Sequence, residues 1–212
     1  MDISRLESSK LRLEREAFDL VELAKDVTAS LQPLTTEFTL RVQTPAPVRV
    51  WADRLRLEQV MTNLVSNATR YAGKGDHIDV EIGVLPMEQS GRGSVAGSAG
   101  QRETTAAVTL AVRDYGVGIA PEYRERIFER FYQMGAASRA GGLGLGLYVT
   151  QQIVQLHGGA IAVECPPDGG TRFIVTLPAS AQPVLAATPA AASVVTTEPR
   201  ETAPAAALVN VG

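Results

Sequence analysis

The stretch DRLRLEQVMTNLVSNATRY, residues 53–71, carries the strongest secondary-structure pattern in the chain. Its apolar residues recur at intervals of three and four, which is the period of an amphipathic α-helix with one buried face. Asp53 stands directly before that pattern, where a carboxylate can accept hydrogen bonds from the first free N–H groups of a helix. We therefore predict a helix that begins after Asp53, continues to Tyr71 and packs its apolar side on the core.

The same stretch carries a row of carboxamides beside its apolar face. Gln59, Asn63 and Asn67 are spaced four apart, so they lie along one side of the helix. An Asn oxygen is a hard, neutral ligand suited to Mg²⁺, which takes its other ligands from water and substrate phosphates. Taken alone, a row of this kind is more often a solvated polar face.

Two glycine-containing segments are further candidates for ligand binding. In RDYGVGIAP, residues 113–121, Asp114 ends a predicted strand, and a carboxylate there can accept a hydrogen bond from an amine such as adenine N6. In GGLGLGL, residues 141–147, free N–H groups precede a helix, an arrangement that favours phosphate. The second segment has neither the Lys-Ser/Thr of a Walker A loop nor the spacing of a dinucleotide fingerprint. An ordinary turn and a flexible hinge are the alternatives.

The remaining pattern is a mixture of helices and strands. Helices are predicted over 2–14, 19–32, near 121–131 and over 145–157, and strands over 37–42, 48–52, 78–84, 107–113, 160–164 and 171–177. This order predicts an α/β fold of the α+β two-layer kind, with helices on one face of one sheet. The Gly/Ser-rich residues 86–106 are expected to form a flexible loop insert, and the Ala/Pro/Val/Thr-rich residues 179–212 a disordered tail.

Composition narrows the classes of function. The 212 residues carry a net charge of −3, one cysteine and two histidines. These values argue against nucleic-acid binding, a disulfide framework and a histidine-rich metal site. No apolar run approaches the ~18 residues of a membrane span, and the N-terminus lacks the apolar core of a signal peptide. We expect a cytoplasmic chain that makes no membrane contact.

Together and in this order, the motifs resemble the catalytic and ATP-binding domain of sensor histidine kinases, in the superfamily shared with DNA gyrase, Hsp90 and MutL. The matching segments are NLVSNA at 63–68 (the N box), DYGVGI at 114–119 (the first glycine box), IFERFY at 127–132 (the F box), GLGLGL at 142–147 (the second glycine box) and GGTRF at 169–173 (the closing motif). The resemblance covers residues 15–178 as one domain. It implies the histidine-kinase-type (Bergerat) fold, with a mixed, mostly antiparallel sheet of about five strands and three main helices on one face.

The resemblance also implies ATP and Mg²⁺ as cofactors and assigns roles to residues. Asn67 would ligate Mg²⁺, and Asn63 and Arg70 would lie near the phosphates as the rest of the catalytic set. Asp114 would bind adenine N6. The other nucleotide-binding residues would be Tyr71, Gly116, Gly118, Ile119 and Thr171 around the base, and Gly142, Leu143, Gly144, Leu145, Gly146 and Leu147 at the phosphates, under a lid at 133–141.

The chain departs from the family at the phosphoacceptor. A histidine kinase transfers the γ-phosphoryl of ATP to a histidine in a box reading roughly SHELRxP, and neither His77 nor His157 has that context. Residues 1–14 resemble the end of a dimerisation helix, so the chain is similar to a kinase cut within that helix. It could be an expressed fragment, a truncated reading frame or a stand-alone module.

The predicted function is therefore that of the Mg-ATP-binding catalytic domain of a two-component sensor kinase. Its partners would be a histidine-bearing dimerisation domain, in a homodimeric parent or in trans, and the receiver domain of a response regulator. On its own the chain is expected not to autophosphorylate.

Two alternatives remain, a nucleotide-binding interaction module and a stand-alone ATPase. In the family members that hydrolyse ATP, a glutamate base lies four residues before the Mg²⁺-binding Asn. This chain has Asn63 there, and an amide cannot accept a proton from water.

Overall fold

The structure, a computed structural model, describes residues 12–73, 76–86, 106–133, 143–178 and 193–196. The helix predicted over 2–14 lies outside these ranges up to residue 11, and residues 12–15, which are described, are not helical. Most of the predicted insert, the lid from residue 134 onward and most of the predicted tail also lie outside them. Within the described residues, no helix has the length and apolar character needed to cross a membrane.

The described elements are helices separated by single strands or by consecutive strands. They are β1 (Glu16–Asp19), α1 (Leu20–Leu31), a 3-10 turn (Gln32–Leu34), β2 (Thr39–Thr44), β3 (Arg49–Ala52), α2 (Arg54–Tyr71), β4 (His77–Pro86), β5 (Ala106–Arg113), two 3-10 turns (Pro121–Tyr123 and Arg126–Phe128), α3 (Gly146–Leu156), β6 (Ala160–Glu164), β7 (Arg172–Pro178) and β8 (Ser193–Thr196). The three main helices and all six predicted strands match the predicted segments to within two residues at each end.

The strands form one large sheet and one small ribbon. In the described part of the chain, the large sheet has the order β6-β7-β5-β4-β2-β8, and β1 pairs with β3. Among the strand pairs that the structure describes, only β2 and β4 run parallel, and the other pairs are antiparallel. The mixed, mostly antiparallel sheet is confirmed. The sixth strand, β8, lies in the predicted tail, where the β-branched run of Val194, Val195 and Thr196 pairs with the edge of β2.

The core lies between one face of the sheet and the three helices. Helix α2 buries the apolar face that its sequence predicts, comprising Leu57, Val60, Met61, Leu64, Val65 and Ala68. Strand β7 alternates between buried and more exposed side chains, and its buried residues are Phe173, Val175 and Leu177. Because α2 packs on the sheet through this face, its adjacent carboxamide side is left at the edge of the core.

The helix predicted near 121–131 is wrong. The chain there makes two short 3-10 turns, in which the Tyr123 N–H donates to the Ala120 carbonyl at 3.0 Å and the Glu129 N–H to the Arg126 carbonyl at 2.9 Å. Phe131 then adopts a left-handed φ of 63°, which interrupts any right-handed helix. Its N–H donates to the Gly144 carbonyl at 3.0 Å, a tertiary bond that holds the segment in this shape.

One junction ties the start of α2 to the end of α3. As predicted, Asp53 caps α2, accepting the Arg56 N–H on Oδ1 at 3.1 Å, and its Oδ2 accepts the Glu14 N–H at 3.0 Å. The Asp53 N–H donates to Nε2 of His157 at 3.0 Å, and Nδ1 of His157 lies 2.8 Å from the Ile153 carbonyl. These partners require a neutral imidazole with its proton on Nδ1.

The junction predicts a pH-dependent stability. Burial lowers the pKa of His157 from its ordinary value of 6.5. Below that value the unfolded chain binds a proton that the folded chain does not, so stability is fully present above about pH 6.5 and falls as pH drops toward the depressed pKa. The melting temperature measured from about pH 7.5 to 5.5 should fall less in His157→Gln than in wild type. His77→Gln, which leaves the junction intact, should retain the fall; equal profiles for His157→Gln and wild type would contradict the prediction.

Candidate functional site

The polar side of α2 contacts both glycine segments. At one end, the Asn63 amide Nδ2 lies 3.3 Å from the Gly146 carbonyl and 3.3 Å from the Thr150 hydroxyl of α3. At the other end, the Gly116 backbone packs on the carbonyl of Tyr71. Residues 63 and 71 are separated by about 12 Å along the helix axis, at a rise of ~1.5 Å per residue. The predicted boxes therefore lie along α2, with the two glycine segments at the ends of the stretch from Asn63 to Tyr71; we call this side of the helix the trough.

Asp114 is the buried acid of this trough. Its Oδ1 accepts the Gly116 N–H at 2.9 Å and the Thr171 N–H at 3.2 Å, while its own N–H donates to the Thr171 carbonyl at 2.9 Å. Burial raises the pKa of Asp114 above its usual value, opposed by these hydrogen bonds. Both of these backbone donors bind Oδ1. Among the described residues, Oδ2 has no backbone N–H partner. The structure thus brings the predicted pair, Asp114 and Thr171, into direct contact.

The glycines here are required by close backbone packing. A Cβ on Gly116 would lie 2.0 Å from the Tyr71 carbonyl oxygen, and one on Gly170 would lie 1.9 Å from the Asp114 carbonyl oxygen. Gly118 has a φ of 72° and faces the Gly170 carbonyl. Since a side chain at these positions would push the loop off α2 or off the start of β7, they fix the position of the Asp114 carboxylate.

The far end of the same loop is held by residues that the sequence analysis did not select. The Ile119 N–H donates to Sγ of Cys165 at 3.3 Å, and that thiol lies 3.3 Å from the Ile119 carbonyl. Nε of Arg124 donates to the same carbonyl at 3.1 Å. Cys165 is 46 residues away from Ile119 in the chain, so no local pattern could have paired them.

The second glycine segment is described from Leu143 onward, and Gly142 lies outside the described residues. Gly144 has a φ of 66° and packs on the F-box backbone, where a Cβ would lie 2.7 Å from the Phe131 carbonyl carbon. Leu143 is exposed, whereas Leu147 packs partly on the core. Helix α3 begins at Gly146 with no side-chain cap, so its first N–H groups are not occupied by a capping side chain.

The three carboxamides of α2 differ in their partners. Gln59 accepts from Arg56 at 3.1 Å and Asn63 binds α3, whereas the side chain of the half-buried Asn67 has no hydrogen bond with any described residue. Arg70 and Tyr71 are exposed at the C-terminal end of the helix. Asn67 is therefore the amide with both polar atoms open to a ligand.

The donor set fits Mg²⁺ only as a companion of a phosphate ligand. No group of three or more His, Cys, Asp or Glu side chains that could hold a metal occurs among the described residues. A single amide oxygen from Asn67 suits an ion that keeps waters and substrate phosphates as its other ligands.

Comparison with known proteins gives concordant matches. A family model described as "Histidine kinase-, DNA gyrase B-, and HSP90-like ATPase" matches residues 52–181. The sensor protein SrrB of Staphylococcus aureus is 30% identical over 182 residues, which are 84% of this chain and 28% of SrrB. The chain thus spans little more than a quarter of the length of the curated relatives it matches.

Solved structures agree in fold. Full-length ShkA in complex with AMPPNP is 25% identical, with a TM-score of 0.64 over 84% of this chain and 34% of ShkA. The nucleotide-free catalytic domain of histidine kinase ThkA is 28% identical, with a TM-score of 0.60 over 79% of this chain and 99% of that domain.

The close packing of Gly116 predicts a steric effect. The substitution Gly116→Ala should lower the free energy of unfolding by about 1–3 kcal/mol or more, because the added methyl collides with the Tyr71 carbonyl. Gly83→Ala in β4 is the matched control, since its Cβ would meet only the Thr109 hydroxyl at 3.0 Å. Urea unfolding of the three proteins measures both losses, and equal losses would contradict the assignment.

Proposed function

The chain belongs to the family of histidine kinase-, DNA gyrase B- and HSP90-like ATPases, as a histidine kinase ATP-binding catalytic domain, and we propose that its trough binds Mg-ATP for phosphoryl transfer. The acceptor in this proposal is a histidine on a dimerisation domain outside the chain, and the signal passes from there to a response regulator. The AMPPNP held by ShkA supports a nucleotide as the ligand of this fold.

The observation that carries the proposal is the fixed carboxylate of Asp114. Two backbone N–H groups hold Oδ1 at 2.9 and 3.2 Å, so the side chain is oriented before any ligand binds. An acceptor of this kind, placed in a largely buried position, selects a base that presents an exocyclic amine. Adenine N6 is such an amine, and Thr171 supports the carboxylate from the neighbouring strand.

The other end of the trough suits the phosphates. The free N–H groups at the start of α3 attract anions. Arg70 lies beside Tyr71 at the base end of α2, so in this proposal its long side chain extends along the helix to bring positive charge toward the phosphates. Mg²⁺ on the Asn67 oxygen would neutralise charge on the phosphates as the phosphoryl group leaves. The contribution of the protein to phosphoryl transfer is then positioning and electrostatic stabilisation, with the nucleophile brought by the partner domain.

Neither histidine of the chain suits the acceptor role. His157 is buried with both ring nitrogens engaged, by Asp53 and Ile153. His77 is paired with Asp76 at the start of β4, next to Asp79. An acceptor on another domain is consistent with the small share of the relatives that this chain spans.

Hydrolysis of ATP by a side-chain base at position 63 is not favoured. The amide of Asn63 donates to the Gly146 carbonyl and to the Thr150 hydroxyl, which gives it a bridging role between α2 and α3. An amide in that position has no basic site for the proton of an attacking water.

The proposal predicts two sensitive positions for nucleotide binding. Asp114→Ala should raise the Kd for Mg-ATP by about tenfold to a hundredfold, because the substitution removes one hydrogen bond to a charged group. Asn67→Ala should remove the Mg²⁺-dependent part of the affinity. Isothermal calorimetry with and without Mg²⁺ measures both effects. Asp26→Ala, at an exposed acid of α1 that pairs with Arg54, should bind as wild type does, and absence of binding by wild type would refute the proposal.

Transfer is tested separately. With γ-labelled ATP, the chain alone should stay unlabelled, while a histidine-bearing dimerisation hairpin added in trans should acquire acid-labile, base-stable label. The hairpin with its histidine replaced is the control. Label of that stability on the isolated chain would contradict the assignment of the acceptor to another domain.

A further inference from the structure

We propose that Tyr115 and Asp79 form a strut behind the sheet that positions Asp114 and thereby sets the selectivity of the site for an amine-bearing base. The inference rests on the proposed function, because it concerns the same loop. Neither residue lies in the trough, so both are positioning residues.

The two faces of β5 separate the strut from the ligand side. Val108, Leu110 and Val112 belong to the core between sheet and helices, so Asp114, the next residue in that alternation, lies on the helix side. Arg113 and Tyr115 lie on the opposite face. Tyr115 is therefore anchored on the side of the sheet away from the trough, one peptide bond from the residue it would hold.

Tyr115 is fixed there by three contacts. Its hydroxyl donates to Oδ2 of Asp79 at 2.7 Å. The His77 ring packs on it with centroids 4.5 Å apart, and the Arg113 guanidinium lies 4.5 Å from the ring centre. A side chain held at its tip and along its ring restricts rotation of the backbone from which it projects.

Asp79 is unusual for its place in the sheet. Its side chain is only 4% exposed, in the interior of β4, and its Oδ1 has no hydrogen-bond partner. Aspartate is unfavourable in strands, and a buried carboxylate loses its hydration. A buried acid here needs a strong partner, and the Tyr115 hydroxyl is the closest one, at 2.7 Å from Oδ2. Arg41 and Arg113 face Asp79 from the neighbouring strands, and Glu81 and His77 lie on its own face.

The bond persists over the working range of pH. Burial and the nearby Asp79 raise the pKa of Tyr115 to about 12, so the phenol remains protonated and remains a donor. The strut is thus a constant constraint at physiological pH.

Base discrimination is the property that distinguishes this role from general stability. ATP presents an amine to Asp114, whereas purine riboside triphosphate, which lacks that amine, presents the same phosphates. Tyr115→Phe should raise the Kd for Mg-ATP about threefold to tenfold and leave the Kd for the analogue unchanged, so the ratio of the two shrinks. Asp114→Ala gives the limit in which the ratio is abolished.

Matched variants complete the experiment. Asp79→Asn keeps an oxygen acceptor of the same shape and should retain most of the ATP affinity, whereas Asp79→Ala should behave as Tyr115→Phe does. Tyr123→Phe, at an exposed tyrosine of the first 3-10 turn after β5, should change neither Kd. Melting temperatures without ligand show that each variant is folded.

The outcomes separate the strut from the proposed function. If wild type discriminates between the two nucleotides and Tyr115→Phe keeps the full ratio, the strut is overturned while nucleotide binding stands. Equal losses for both nucleotides also overturn it, since they indicate a general structural role. If wild type binds neither nucleotide, the proposed function fails and the strut with it.

Discussion

One side of helix α2 packs on the core, and the side next to it faces the site. Six apolar residues fix it on the sheet, and their burial leaves no freedom in how the carboxamide side is turned. The rotation of the helix about its axis, and with it the direction that Asn63 and Asn67 face, is therefore set by Leu57, Leu64 and the rest of the buried row. Everything else in the trough is positioned relative to this helix, because α3 binds Asn63 and the first glycine box packs on Tyr71.

The first glycine box shows how such a site is made rigid without bulky side chains. Gly116 and Gly170 permit contacts between backbones that no side chain would allow, and the hydrogen bonds of Asp114 connect the ends of β5 and β7. Cys165 and Arg124 hold the exit of the loop at Ile119. The carboxylate thus lies in a frame built from backbone groups, which lose little conformational entropy on binding.

Sequence patterns predicted the elements whose residues repeat with a local helical or strand period. They failed for features that are determined by contacts between distant parts of the chain. The helix after Asp53 was predictable because its cap and its three-four repeat agree, and the pairing of Asp114 with Thr171 followed from a family resemblance. Strand β1 was not predicted, since Glu16–Asp19 is short and is defined by its partner β3. The 3-10 turns near 121–131 have apolar spacings similar to those of a helix, and the left-handed φ of Phe131 and its bond to Gly144 that distinguish them cannot be read from that spacing. The contacts of Cys165 and of Asp79 join residues 46 and 36 positions apart, beyond any local pattern.

The long hairpin of β4 and β5 has one end near the site and the other end far from it. Its register runs from Asp79 opposite Arg113, at the end that leads into Asp114, to Pro86 opposite Ala106. Seven residues at ~3.4 Å each place the far ends of the two strands, Pro86 and Ala106, about 24 Å along the strands from the site end. A fluorophore, an affinity tag or a whole inserted domain joined there would report on or carry the protein without touching the nucleotide machinery.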